Sequence, residues 1–106
     1  AGKYALDLKN LSVDMLSISG HKIYGPKGIG ALVVRQINRE FELKPLMFGG
    51  EQEKRLRPGT LNVAGIVGLG EACAVSQATM TEEHGRLKQY QEAIVNRVRD
   101  RFPRVK

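Results

Sequence analysis

The 106-residue chain has one cysteine and two histidines, and each scarcity removes a class of chemistry. Cys73 alone cannot close an intrachain disulfide or furnish a multi-cysteine metal site, and it fits a reducing compartment. His21 and His84 lie far apart in sequence, so a zinc site built from protein ligands is not expected. There is no run of about 18 apolar residues of the kind that spans a membrane. Nor does a basic N-terminal region lead into an apolar core, as in a signal peptide. No membrane partner is expected.

Acidic residues are the smaller charged set, 11 against 17 basic, for a formal charge of +6. Such an excess can recruit nucleic acid, an anionic ligand or an acidic partner. Here Arg97, Arg99, Arg101, Arg104 and Lys106 are interleaved with Asp100 in an amphipathic pattern. That reads as a solvated helix face rather than a nucleic-acid patch. What the chain has in quantity is ordinary globular material, 42% hydrophobic and 26% charged. One domain's length of it is short for an enzyme that must enclose a cofactor.

Along the chain, Leu8 and Leu11 suit a short helical turn, and a strand is expected near 14–18. Ile29 to Arg35 is β-branched and apolar and reads as a second strand, buried on both faces. Residues 36–44 read as a connection carrying a short strand, and Pro45 to Phe48 as another brief one. Gly49 and Gly50 then open a loop that runs to Pro58 and Gly59, with Thr60 placed to cap a helix over 61–79. In that helix Gly65, Gly68, Ala72 and Ser76 leave a narrow side for close packing, and Cys73 reads as a small buried residue. Thr79 with Glu82 resembles a capping box, with Thr81 as the other cap, and predicts a second helix over 82–102. Its Leu87, Tyr90, Ile94, Val98 and Phe102 make one apolar stripe, core or docking surface, before Pro103 ends it and residues 104–106 suggest the start of a strand.

Two stretches carry chemistry. Ser19, Gly20, His21 and Lys22 put a hydroxyl, an imidazole and an amine between a strand and the glycine-rich run to Gly30. Loops at strand ends present functional groups, and a partly desolvated lysine beside cationic or polar groups becomes a nucleophile. Ser19 and His21 can equally hydrogen-bond a phosphate with help from free backbone N–H groups. A plain surface turn with solvated lysines fits the same residues. The second stretch ends at Arg57 and Thr60, where a helix N-terminus favours an anion; a simple cap beside a solvated arginine also fits.

Together, Ser-Gly-His-Lys-Ile-Tyr-Gly-Pro-Lys-Gly-Ile-Gly-Ala-Leu (19–32), Gly49-Gly50, Gln52-Glu53, Arg57 with Gly59-Thr60, Asn62 and the apolar run over 66–72 resemble the cysteine desulfurases. These are pyridoxal-phosphate (PLP) enzymes of the class V aminotransferase group, and the resemblance covers practically the whole chain. It implies that Lys22 forms the Schiff base with PLP and shuttles protons, and that Ser19 and His21 hold the cofactor phosphate. Thr60 would reach the phosphate of the partner subunit in a homodimer. The implied activity is removal of sulfur from L-cysteine to give alanine and an enzyme persulfide, passed to sulfur-acceptor or scaffold proteins in the cytoplasm or an organelle matrix. No metal and no nucleic acid enter it.

The resemblance implies an α/β fold: residues 1–106 as part of the fold type I PLP-binding large domain, ending at the start of the small domain, with strands then two long helices. Glu51 and Lys54-Arg55 depart from the glycine-rich pattern, and Pro58 stands where serine is common. The family's ring-stacking histidine, pyridine-nitrogen aspartate, carboxylate-binding arginine and persulfide cysteine fall outside the matching region, and Cys73 does not match the last. These 106 residues alone are therefore expected to be inactive. Other class V activities (selenocysteine lyase, cystine C–S lyase, aminotransferase) compete with this reading. So does a non-catalytic basic binding module.

Overall fold

The structure is a computed structural model and describes residues 2–35 and 43–104. Strand β1 (Met15–Ser19) is followed by a single 3-10 turn (Gly20–Ile23) and strand β2 (Gly30–Val34). A second 3-10 turn (Gln52–Arg55) precedes the helix α1 (Val63–Arg101). The strands pair antiparallel in the register Met15 to Val34 through Ser19 to Gly30. Alternation along β1 leaves Leu16 and Ile18 half-buried and Met15, Ser17 and Ser19 exposed, the pattern of a sheet with one covered face. The expectation that β2 is buried on both faces is corrected: Gly30 to Leu32 are exposed and only Val33 and Val34 half-buried.

The hairpin is tied to the segment before it by Arg35. Its Nη2 donates to the carbonyls of Leu8 and of Leu11, the latter at 2.6 Å. Asp7 shapes that segment into a turn, accepting from Lys9 N at 2.9 Å and from Asn10 Nδ2 at 2.7 Å. This is the local side-chain capping that favours Asp at turn starts.

Helix α1 is continuous over 39 residues, so the break expected between 79 and 82 does not form. Thr79 does not cap; its Oγ1 donates to the Val75 carbonyl at 3.0 Å, which satisfies the hydroxyl inside the helix. At the N-terminus the cap is Asn62, whose Oδ1 accepts from Gly65 N at 3.0 Å, rather than Thr60. At 1.5 Å per residue this helix is about 58 Å long, and it sets the 60 Å longest dimension of the chain.

Little is enclosed. Ile23, 4% exposed, is the buried apolar side chain among the described residues. The radius of gyration is 19.6 Å, against about 13 Å for a compact domain of this length. Leu87, Tyr90, Ile94, Val98 and Phe102 form the expected stripe, but all five are exposed. Cys73 is likewise exposed, correcting its reading as a core residue. Pro45 to Phe48 form no strand, and Leu46 and Phe48 stand in solvent. The short strand expected in 36–44 falls mostly, and the strand start at 104–106 partly, outside the described residues.

Contrary to the expectation of no such stretch, α1 holds an 18-residue window with mean hydropathy 1.3, apolar and long enough to cross a membrane by composition alone. Its small residues have a use that needs no bilayer. A Cβ added at Gly68 would sit 2.6 Å from Pro26 Cγ, and Ala72 Cβ would be 3.1 Å from one added at Gly25. The narrow side of the helix receives the connection between the strands.

Candidate active site

Ser19 ends β1 in extended conformation (φ −106°, ψ 124°), and Gly20 turns the chain. The Gly20 N–H donates to the Ile29 carbonyl at 2.9 Å, and its own carbonyl accepts from Gly25 N at 2.9 Å. A Cβ at Gly20 would lie 2.9 Å from Ile29 Cγ2 and 3.0 Å from Ile29 O, so only glycine allows this closure. In a 3-10 turn residues three apart eclipse one another. Gly20 and Ile23 accordingly share the buried side, which leaves His21 and Lys22 on the exposed one. Tyr24 ends the turn in the left-handed region (φ 62°), and its backbone donates to Gly20 O.

The amine, the imidazole and the Ser19 hydroxyl therefore stand on one backbone-fixed turn, wedged between the hairpin and α1 by Ile23, Gly25 and Pro26. Among the described residues no hydrogen bond or ion pair engages any of the three. A primary amine with a hydroxyl and an imidazole beside it is a donor set that suits a carbonyl-bearing, phosphorylated cofactor. The residues fit PLP.

Thr60 lies on the second loaded loop, exposed, two residues before the Asn62 cap. Ser19, His21 and Lys22 come together on one turn; no hydrogen bond between described residues joins Thr60 to them. The loop closes on itself instead. Gln52 Oε1 accepts from Gly59 N at 3.1 Å, Arg57 Nη1 donates to the Gly59 carbonyl at 3.1 Å, and Glu51 pairs with Arg55. Sequence reasoning missed Asn62 as the cap and Gln52 as an anchor. Asn before an apolar run was a cap signal passed over in favour of Thr60, whereas the reach from Gln52 to Gly59 has no local sequence signature.

A groove of about 750 Å³ adjoins the buried side of this turn, against α1, lined by Tyr4, Ile23, Pro26, Ala72, His84 and Leu87 among others, without Lys22 or Thr60. At its edge the Tyr4 and His84 rings meet edge-to-face at 5.9 Å. Nearby, the Arg86 hydrogen bond holds the Glu83 carboxyl below its usual range. Arg86 is held above its own, first by Glu83 and then by Tyr90, over whose ring its guanidinium sits at 5.4 Å.

The family model described as Aminotransferase class-V matches residues 1–102. A cysteine desulfurase IscS of Ehrlichia chaffeensis is 42% identical over 104 residues, covering 98% of this chain and 25% of the relative. A human protein named cysteine desulfurase is 41% identical over 104 residues, with 98% and 22% covered. Among solved structures, a NifS-like protein from Rickettsia africae superposes with a TM-score of 0.84 at 35% identity over 93% of this chain and 27% of its own. The chain thus spans about a quarter of the length of the relatives it matches. The α/β fold type I expectation agrees with these neighbours, and relatives of this kind do not favour the binding-module alternative.

Proposed function

The chain belongs to the aminotransferase class-V family, and from that premise we propose that it is the cofactor-lysine segment of a PLP-dependent cysteine desulfurase. PLP, when bound, supplies the electron sink that lets L-cysteine lose its sulfur and leave as alanine. Lys22 Nζ would hold the cofactor through its aldehyde carbon and would carry the proton to and from the substrate. The Ser19 hydroxyl and His21 imidazole hold the phosphate from the same turn. Thr60, on a loop that makes no hydrogen bond to that turn among the described residues, serves the phosphate of a second subunit in a homodimer. The sulfur passes to a cysteine thiol of the enzyme outside these residues as a persulfide, for acceptor or scaffold proteins in the cytoplasm or an organelle matrix.

The observation that carries this is the 3-10 turn, which anchors itself through Gly20 and Ile23 and turns His21 and Lys22 outward. Such an amine is ready to bond a carbonyl without rearrangement of the backbone that bears it. Incubating the full chain with PLP, reducing with borohydride and mapping the adduct by mass spectrometry tests it. The expected adduct is on Lys22 and absent from Lys22→Ala. An adduct confined to other lysines, or salt-sensitive nucleic-acid binding without any adduct, would refute it.

A further inference from the structure

Both backbone polar groups of Gly59 are taken by side chains from the two ends of its own loop. Its N–H donates to Gln52 Oε1 at 3.1 Å, and its carbonyl accepts from Arg57 Nη1 at 3.1 Å. The same Nη1 reaches the Thr60 carbonyl at 3.5 Å. Gly59 has φ +100°, a region in which glycine moves freely and other residues are strained. Left to itself, such a residue would let the chain beyond it swing. Here the two peptides that flank the Gly59 Cα are each held, the one before it by Gln52 and the one after it, leading into Thr60, by Arg57, and Pro58 packs where a Cβ at Gly49 would lie 2.9 Å from its own Cβ.

We propose that Gln52 and Arg57 are positioning residues that lock the two peptides flanking Gly59, so that the Thr60 hydroxyl meets a phosphate in one orientation. This rests on the reading of Thr60 as a phosphate donor. Neither side chain contacts the phosphate in this role. Gln52 acts as an acceptor for a backbone N–H, and Arg57 commits its Nη1 to two carbonyls of the loop.

The test compares the Kd of PLP with that of pyridoxal, which lacks the phosphate, by absorbance titration of the full chain. The ratio of the two isolates phosphate holding, and retained pyridoxal affinity shows that the fold and Lys22 are intact. Thr60→Val is expected to shrink the ratio about tenfold, as for loss of a hydrogen bond to a charged group. Gln52→Met and Arg57→Met are expected to shrink it about fivefold each. Gln52→Met combined with Thr60→Val should match Thr60→Val alone, because the first acts only through the second.

A wild-type ratio in Gln52→Met or in Arg57→Met, or effects that multiply in the double variant, overturns the proposal. A wild-type ratio in Thr60→Val instead refutes the phosphate reading itself, and this one with it.

Discussion

Gly68 of α1 lies so close to the ring of Pro26 that a methyl group in place of its hydrogen would stand 2.6 Å from Pro26 Cγ and 3.0 Å from Cδ. That contact, four residues beyond Lys22, seats the lysine-bearing connection on the helix. Gly68→Ala sets two effects against each other: about 1 kcal/mol of helix propensity gained and about 1–3 kcal/mol of overpacking lost. The clash wins, because a proline ring cannot rotate away. Gly70 supplies the control, since a Cβ there meets nothing within 4 Å. Thermal denaturation is expected to show Gly70→Ala stabilised and Gly68→Ala destabilised, with weaker PLP labelling of Lys22 in the latter alone.

Asn62 and Thr60 separate a folding role from a site role. Asn62→Ala removes the acceptor for Gly65 N and should cost about 1 kcal/mol of stability. Thr60→Ala removes no cap and should leave chemical denaturation unchanged while weakening PLP binding. Equal losses of stability in both variants would contradict this division.

Glu83 gives a pH dependence with a definite sign. Its carboxyl is held below the ordinary glutamate range by the Arg86 hydrogen bond, so the folded chain binds that proton less readily than the unfolded one. The stabilisation is complete above the unfolded value and fades as pH falls through the depressed folded one. Denaturation curves collected from neutral pH to below 4.5 should therefore converge for wild type and Glu83→Gln at the acid end and separate at neutrality. A gap that widens toward acid would be the contrary result.

Glu53, Lys54 and Arg55 are consecutive non-glycine residues in the left-handed region, with φ of 50°, 57° and 67°. Each such residue costs about 1 kcal/mol or more. Glycine at Lys54 relieves that cost, and the loop is already pinned by Gln52 and Arg57. Lys54→Gly should raise the unfolding midpoint modestly, whereas Lys54→Val should lower it, by differential scanning calorimetry.

Elements set by local pattern were legible in the sequence. The two strands fall within a residue of their expected positions, since one largely apolar stretch ends at Ser19 and another begins at Gly30. The small-residue side of α1 also packs as expected, Gly68 on Pro26 and Ala72 on Gly25. What was not legible depended on competition between partners. Thr79 could cap a new helix or bond the preceding turn, and only the packed chain decides for Val75. Cys73 was placed inside because its neighbours are apolar, yet a helix this long has more faces than the hairpin can cover. At the site, clustering of hydroxyl, imidazole and amine was visible in the spacing; the clamp on Gly59 was not, because it closes over seven residues.

The 3-10 turn makes Lys22 a matter of phase. With three residues per turn, each residue rotates its side chain by about 120° about the axis, so inside and outside are set by count rather than by composition. Substituting an exposed position in Gly20–Ile23 changes chemistry while the direction persists. A single residue inserted before Lys22 keeps every functional group yet points the amine toward the place that Ile23 fills, and a deletion turns it to the direction of His21. Sequence variation at this site should therefore be permissive in kind and intolerant in length.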